Sequence, residues 1–406
     1  MNFRFFIFIS AMFLSLPQWA KAACDQTLSP GINLASKIAS ASAGTTICLN
    51  SGSYGDLNLG TFTKDPAVLV QSIVPKGASM GLNAQNGANG VIFDGIKFTG
   101  GGVISGANTK NITIRNSDFG TSQLLILTAY FNSNNILIDR NTFGAFNADG
   151  GYEGRLQISW GGFPWAKPSD TLGVVISNNT FGPGGCSDGI QIGAHGVKVG
   201  PGNIFTGIRQ GNCAAHVDAI QGYGQSSTVI DGNYFVGNTI HIGFYDGGSS
   251  ETITNNVFGP PGDSAQNLQL GGIQGMKMAH NTFRNTVAAA GAKAANSPNS
   301  NWVVENNLFV NSHFTAGGDQ PGCGNDCIMR YNLLDPQSSS NPSGTNKILG
   351  TPIFTGGASP TSLEGYQLAP NSIGKNAGND GKDIGFNYFN LVITQKPAAP
   401  KNLNVR

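Results

Sequence analysis

The sequence of 406 residues predicts an all-β fold, a parallel β-helix (solenoid) that starts with a short capping helix. One phrase recurs along the chain: alternating apolar residues, a turn asparagine in most copies, one further residue, and then phenylalanine. A period of two in the apolar residues is typical of a strand, and intervals of mostly 21 to 26 residues are typical of stacked coils. The phrase ends at Phe98, Phe119, Phe143, Phe181, Phe205, Phe235, Phe258, Phe283 and Phe309, with a weaker copy at Leu334.

Two features of this phrase predict the interior of the coil. Each phenylalanine is expected to point inward and to stack on the phenylalanine of the next coil, because the alternation places it with the apolar residues. The asparagine is expected to adopt the left-handed backbone conformation that a sharp turn requires.

The first 22 residues have the pattern of a secretory signal peptide. Arg4 supplies the positive charge, residues 5–16 form an apolar stretch, and Ala20-Lys21-Ala22 is a small-x-small cleavage site. The apolar stretch is too short to span a bilayer. Cys24 raises a lipoprotein alternative, but Lys21 is atypical of a residue that precedes a lipid-modified cysteine. The sequence therefore predicts a secreted or periplasmic protein whose mature chain is not inserted into a membrane.

Six cysteines agree with export, because an even number in an exported chain indicates disulfides. Sequence alone does not fix the connectivity, and the local pairings are Cys24–Cys48, Cys186–Cys213 and Cys323–Cys327. The chain carries 23 basic and 22 acidic residues without a basic stripe, which argues against a nucleic-acid partner. The oligomeric state is not indicated.

The chain divides into a signal peptide, one β-helix domain over residues 23–390 and a flexible tail over residues 391–406. Within the domain, a cap covers about 24–48, and its helix places Ile32, Leu34 or Ala35, and Ile38 on one side to close the open end of the core. The repeat body covers 91–335 and the closing segment 345–390. Two repeat intervals are long, 38 residues before Phe181 and 30 before Phe235, and such insertions map to loops, commonly on the binding face.

Two further segments carry a family resemblance. The stretch AGTTICLNSGSY resembles the opening coil of many exported β-helix enzymes, and YQLAPNSIGKNAG resembles the closing segment of many bacterial β-helix proteins. With the repeats, residues 24–390 resemble the right-handed parallel β-helix, pectate-lyase-like superfamily. The resemblance implies a right-handed coil and an exported polysaccharide-active protein, without identifying a specific family. It leaves the reaction open, because this fold hosts lyases, hydrolases, epimerases and non-catalytic adhesins.

A second set of short strands lies out of phase with the phenylalanine phrase and predicts an exposed polar column. Neighbouring strands lie about 4.8 Å apart, so five rungs form a groove roughly 20 Å long, which fits several units of a linear sugar chain. Arg155 and Tyr223 are expected to flank the column. The alternative is a solvent-facing ladder of amides that bond one another. The predicted rungs are Gln157, Gln191, Gln221, His241 and Gln269.

The element Asp-x-Ile-Gln occurs twice, at Asp188 and at Asp218, in successive coils. The two carboxylates are therefore expected within about 5 Å of each other, where they must share a proton, bind a cation or pair with a base. His216 and Arg209 are the candidate partners. The alternative is that both aspartates cap turns. This pair leaves Ca²⁺ open as a cofactor, but no pectate-lyase calcium cluster is recognisable and no metal ligand is assigned.

The longer insertion contains Trp160 and Trp165, whose rings suit contact with the flat faces of sugars. The alternative is that this loop packs on the side of the helix.

The predicted function is a lyase that cleaves a uronic-acid-containing polysaccharide by β-elimination. Such a reaction needs groups that neutralise the carboxylate, a base and a proton donor. The groove offers amides, histidine and tyrosine rather than many acids, which favours this reaction. The candidate neutralising groups are Gln191, Gln221 and Arg155 or Arg209; the candidate base is His216 or His241; the candidate proton donor is Tyr223 or Tyr245.

Two alternatives remain open from the sequence. A glycoside hydrolase would use Asp188 and Asp218 as paired carboxylates, with Asp246 as a further candidate, and a separation of about 5 Å would suit a retaining mechanism. A non-catalytic adhesin or polysaccharide-binding protein would present regular polar ladders without an ionisable cluster.

Overall fold

The computed structural model describes residues 22–387, except 86, 107, 128–134, 150, 152, 159–172, 264–266, 291–298, 316–325 and 342–343. The chain forms a right-handed parallel β-helix of about eleven turns, which confirms the predicted fold class. The predicted signal peptide, apart from Ala22, and the predicted tail lie outside the described residues. No helix in the described part is long and apolar enough to cross a membrane.

The first ladder of parallel strands precedes the asparagine turns. Its strands are Gln26–Leu28, Thr46–Leu49, Phe62–Ser72, Ala88–Asp94, Lys110–Arg115, Ile136–Asp139, Val174–Ser177, Lys198–Val199, Val229–Asp231, Gly248–Thr254, Ile273–Ala279, Ser300–Glu305 and Cys327–Arg330.

The second ladder contains the phenylalanines and the third follows it in each coil. In the first coils, the long strands Gly52–Leu59, Ala78–Ala84 and Lys97–Ile104 serve both ladders. The second ladder continues with Asp118–Gly120, Thr142–Phe143, Thr180–Phe181, Ile204–Thr206, Tyr234–Val236, Val257–Phe258, Thr282–Arg284, Leu308–Val310, Leu333–Leu334 and Ile348–Leu349. The third continues with Leu124–Ile126, Gly154–Ile158, Asp188–Ile192, Asp218–Gly222, Ile240–Phe244, Leu268–Leu270, Val287–Ala290, His313–Thr315 and Ser339–Asn341.

The N-terminal end of the core is covered by the helix Leu34–Ser40. Asn33 caps the helix, because its side-chain oxygen accepts a hydrogen bond from the Ser36 amide at 3.0 Å. Leu34 and Ile38 are buried against the coil, so the predicted capping helix is confirmed.

The phenylalanines form one continuous internal stack, as predicted. Ring centroids of successive coils lie 4.6 to 5.0 Å apart from Phe98 to Phe309. This spacing equals the distance between neighbouring strands, so each coil places its ring directly on the ring of the coil before it.

From Phe143 onward, the asparagine two residues before the phenylalanine has a different role from the predicted one. Its side chain is buried, and its Oδ1 atom accepts the backbone N–H of the equivalent asparagine in the preceding coil, at 2.8 to 3.3 Å. The left-handed backbone falls one residue earlier in several coils, for example at Asn178 and Asn255. The asparagine ladder satisfies the turn amides inside the core, where an unpaired amide would be costly. Its members are Asn141, Asn179, Asn203, Asn233, Asn256, Asn281, Asn307 and Asn332.

The closing segment packs sideways on the coils. Its apolar side chains form a second hydrophobic cluster with outward-facing residues of the second ladder, and they bury those residues. The Phe386 amide donates to the Thr282 hydroxyl at 2.9 Å, and the Asn387 amide donates to Asn255 Oδ1 at 2.7 Å. The cluster consists of Tyr234, Val257, Leu308, Leu333, Phe354, Tyr366, Leu368, Ile384 and Phe386.

A buried carboxyl group in the first-ladder strand Gly248–Thr254 predicts a pH dependence of stability. Glu251 is 1 % exposed, and burial raises its pKa from 4.5 to about 8. Between these values the folded chain keeps a proton that the unfolded chain releases, so the free energy of unfolding falls as pH rises, by up to about 1.4 kcal/mol per pH unit. We expect Glu251→Gln to reduce the fall between pH 5 and pH 8, measured by denaturant unfolding. The exposed Glu364→Gln is the control and should keep the wild-type dependence; parallel curves for Glu251→Gln and wild type would contradict this assignment.

Candidate functional site

The two Asp-x-Ile-Gln elements stack directly on each other in the third ladder. Ile190 pairs with Ile220, and Gln191 pairs with Gln221. In the coil before, Gln157 pairs with Gln191, so three of the predicted rungs form one column. Because the column stands on a sheet, its side chains are held in fixed register. The column is less exposed than predicted, because Gln157 and Gln221 are half-buried and Gln191 is only 4 % exposed.

The next rung is Gly243, not His241. Gly243 pairs with Gln221 on one side and with Gln269 on the other, so Gln269 belongs to the column as predicted. The placement of His241 in the groove is therefore wrong.

His241 faces the core because the two-residue alternation breaks where the strand begins. Its rung continues that of Gly189, where a side chain would meet the core ring of Phe205. The imidazole is fully buried between Phe235 and Phe258, with ring centroids at 5.8 and 6.0 Å. Its Nε2 lies 3.1 Å from the Gly259 carbonyl oxygen, and burial lowers its pKa to about 4. A neutral core histidine of this kind is excluded as the groove's base.

The predicted carboxylate pair is present at the entrance of these strands. Asp188 is 3 % exposed and Asp218 is fully buried. Asp188 Oδ1 accepts the backbone N–H of Asp218 at 2.7 Å, and its Oδ2 accepts the amide of Gln191 at 2.8 Å. The Gln191 amide also reaches Gln221 Oε1 at 3.0 Å. Burial, together with the charge of Asp218, raises the pKa of Asp188 to about 8.

Asp218 connects a histidine and a tyrosine. Its Oδ2 lies 3.0 Å from Nδ1 of His216, and its Oδ1 accepts the hydroxyl of Tyr245 at 3.2 Å. The His216 and Tyr245 rings meet edge to face, with centroids 5.1 Å apart. The His216 side chain is 41 % exposed, whereas the carboxylate that holds it is fully buried. The imidazole is thus oriented through its Nδ1 atom by the buried Asp218 carboxylate.

The electrostatics of this group follow from its contacts. The hydrogen bond that His216 makes to the Asp218 carboxylate raises the pKa of His216, against the opposing effect of burial. Burial raises the pKa of Asp218, and the contacts with His216 and Tyr245 oppose that rise. Burial and the negative charge of Asp218 raise the pKa of Tyr245 well above its ordinary value, so the phenol stays protonated at neutral pH.

Arg155 supports the site from inside and does not flank the groove, contrary to the prediction. Its side chain is fully buried, and its guanidinium donates to the backbone carbonyls of Gly144, Gly184, Ser187 and Asp188. Burial lowers its pKa to about 10, so it remains charged at neutral pH. Arg155 therefore holds the turn that leads into Asp188.

Arg209 is exposed on the turn between the second and third ladders, where its Nε donates to the Gly237 carbonyl at 3.0 Å. This contact directs the Arg209 side chain along the turn rather than to the carboxylates.

Tyr223 lies over Gly193 of the preceding coil and leaves no room for a Cβ atom there. Asp246 follows Tyr245 and is exposed, and partial burial of its carboxyl group still raises its pKa.

The predicted disulfide Cys186–Cys213 joins the loops that lead into the Asp188 strand and to His216. Cys24–Cys48 is also present. Cys323, and with it the predicted bridge to Cys327, lies outside the described residues, as do Trp160 and Trp165.

The sequence analysis did not identify Gln123, which donates to the Gly154 carbonyl at 2.7 Å and extends the polar face towards Gln157.

The oxygen atoms of the carboxylate pair are held by groups of the protein itself. Each of the four oxygen atoms of Asp188 and Asp218 meets one hydrogen-bonding group of the protein. Of the described residues, Asp149, Cys186 and Cys213 also lie close together, but both sulfurs are in the disulfide and are not thiolate ligands.

No protein-family model and no curated protein matches this sequence. Among solved structures, the chain is similar to the PL6 family alginate lyase AlyGC, with 14 % identity and a TM-score of 0.52 over 89 % of this chain and 58 % of that one. It is also similar to the surface adhesin PfbA of Streptococcus pneumoniae, with 13 % identity, a TM-score of 0.47, and 80 % and 97 % of the two chains covered. A PL6 alginate lyase in complex with a trisaccharide gives 12 % identity, a TM-score of 0.46, and 87 % and 90 %. The chain thus spans 58 % of the length of AlyGC. At an identity of 14 %, the similarity shows the fold alone.

Proposed function

We propose that this protein is an exported polysaccharide lyase that cleaves a uronic-acid-containing chain by β-elimination. The observation that carries the proposal is the group of His216, Asp218 and Tyr245, which stands beside the glutamine column on the outside of the helix. The lyase-like fold agrees with this proposal. Two disulfides support export, because disulfides persist in oxidising compartments.

In the proposed reaction, Nε2 of His216 removes the proton from the carbon next to the uronate carboxyl group. Asp218 stabilises the imidazolium that forms, because its carboxylate already contacts Nδ1. The amide of Gln221 stabilises the developing enolate charge, and Gln191, whose amide donates to Asp188 and to Gln221, orients it. The electron pair then forms the new carbon–carbon double bond as the glycosidic carbon–oxygen bond breaks. Tyr245 donates a proton to the leaving oxygen, and solvent restores both groups.

The hydrolase alternative has less support. A glycosidase needs two carboxyl groups that flank the scissile bond. Asp188 and Asp218 are both buried, and their oxygen atoms bond to groups of the protein itself. They are therefore better suited to orient His216 and Tyr245 than to attack or protonate a sugar.

The experiment that tests the proposal is incubation with a panel of acidic and neutral polysaccharides, including alginate and pectate. A lyase produces an unsaturated product that absorbs at about 235 nm, whereas a hydrolase produces reducing ends without that absorbance. Binding without either product would indicate a non-catalytic adhesin and would overturn the proposal.

The pH profile gives a separate prediction. The base must be neutral, so activity should rise as pH passes the raised pKa of His216. In Asp218→Asn the negative charge that raises this pKa is lost, so the acidic limb of kcat/KM should move to lower pH. Asp246→Asn is the comparison variant; it removes a more weakly acting charge and should move the limb less. An acidic limb that stays in place in Asp218→Asn would show that His216 is not the group that titrates.

A further inference from the structure

A second groove lies on the first ladder, near the N-terminal end of the helix and on a different face from His216. Its volume is about 470 Å³, within the range of about 300–1,000 Å³ that is typical of small-molecule sites. It forms where the strand Phe62–Ser72 bulges between Thr63 and Val68, so that residues 64–67 overhang the next coil. Gly90 lies beneath the bulge, where a Cβ atom would collide with the Lys64 carbonyl.

One wall of this groove is a row of side-chain amides. Asn135 donates to Asn111 at 2.6 Å, Asn111 to Asn89 at 2.7 Å, and Asn89 to the Thr63 hydroxyl at 3.4 Å. Each amide has two N–H donors and two acceptor positions, and the row uses one donor from each. The remaining donors and acceptors suit the hydroxyl groups of a sugar. Ile92 and Ala67 also line the groove and offer apolar surface for the face of a sugar ring.

The charges of the groove select the class of sugar. Lys110 is exposed at its edge, and it has no ion pair within the described part of the chain. Lys64 also lines the groove, but its ammonium donates to the carbonyls of Ala39 at 2.8 Å and Ala41 at 2.6 Å. Asp65 contributes one negative charge at the rim. Lys110 is therefore the group best placed to pair with a ligand carboxylate.

We infer that this groove is a second, non-catalytic glycan-binding site that takes a uronate-bearing oligosaccharide, with its carboxylate at Lys110 and its hydroxyls along the row Asn89, Asn111 and Asn135. The site stands on its own residues and does not depend on the cleavage reaction. If the same polysaccharide also binds along the glutamine column, attachment at one site raises the effective concentration of the polysaccharide at the other site.

The test is calorimetric titration of the full chain in a His216→Ala background, so that no cleavage disturbs the count of sites. The probes are hexasaccharides of mannuronate, guluronate and galacturonate, with cellohexaose as the neutral comparison. The groove variant is Lys110→Ala with Asn111→Gly; glycine keeps the left-handed backbone of Asn111, which has φ 53°. The matched control is Lys97→Ala with Asn311→Gly, which removes an exposed lysine and an asparagine at φ 45° outside the groove.

We expect the groove variant to lose one binding site for at least one uronate hexasaccharide, or to bind there about tenfold more weakly, while the control keeps the wild-type count. Melting temperatures of both variants check that the coils stay folded. Unchanged stoichiometry and affinity in the groove variant would overturn the site. Equal binding of cellohexaose at this groove would overturn its selectivity for a carboxylate. The absorbance assay for cleavage is independent, so failure of the lyase proposal is distinguishable from failure of this site.

Discussion

Replacing His216 with alanine is expected to lower turnover on a uronate polysaccharide by about 10²–10⁴-fold, the usual contribution of a general base. His216 is held by Asp218 at 3.0 Å and is 41 % exposed, so its loss removes the base without opening the core. The melting temperature should therefore stay near that of the wild type. The measurement is the initial rate of the absorbance increase at about 235 nm, and the melting temperature of each variant is measured in parallel.

The matched control is His313→Ala. His313 is exposed on the same ladder in a later coil and contacts the Ser339 hydroxyl at 2.8 Å, away from the carboxylate pair. It should keep full activity. Tyr245→Phe keeps the ring and removes the proposed acid, so it should also lower turnover. Full activity in both His216→Ala and Tyr245→Phe, on a substrate that the wild type cleaves, would remove the site from consideration.

Replacing Phe205 with alanine is expected to lower the free energy of unfolding by about 3–5 kcal/mol, because the change leaves a cavity in the middle of the ring stack. Phe205 is fully buried, with ring centroids 4.8 Å from Phe181 and 4.7 Å from Phe235. Collapse of the neighbouring coils into the space is opposed by the strand pairing on both sides. Denaturant unfolding monitored by circular dichroism measures the loss.

The control for this prediction is the residue beside it. Ile204 lies on the same strand but is 40 % exposed, so Ile204→Ala should cost clearly less than Phe205→Ala. Equal losses from the two changes would mean that the strand as a whole, rather than the ring stack, determines the effect.

The repeat was predictable because the same residues recur at the same place in every coil. Phe143 and Phe181 sit at equivalent rungs although 38 residues separate them, so an insertion in the loop does not disturb the pattern. The alternation rule then placed Gln157, Gln191, Gln221 and Gln269 in one column.

The same rule failed for His241. At the start of the strand Ile240–Phe244, both His241 and Ile242 are fully buried, which a strict alternation does not allow. The role of Arg155 could not be predicted from the sequence, because its partners Gly144 and Gly184 come from turns of two different coils. Spacing along the chain does not indicate which carbonyls converge on one guanidinium.

The closing segment changes how the end of the stack behaves. In a linear array, each coil is held mainly by its two neighbours, and the terminal coil frays first. Here the chain returns from beyond Leu333 to Thr282 and Asn255, so the terminal coil is fastened to coils well inside the array. Opening that coil requires the returning segment to peel away from several others at once. The C-terminal coils and the closing segment should therefore unfold together as one cooperative unit. A pulling force applied at this end should have to break the contacts of several coils at once, rather than those of one coil after another.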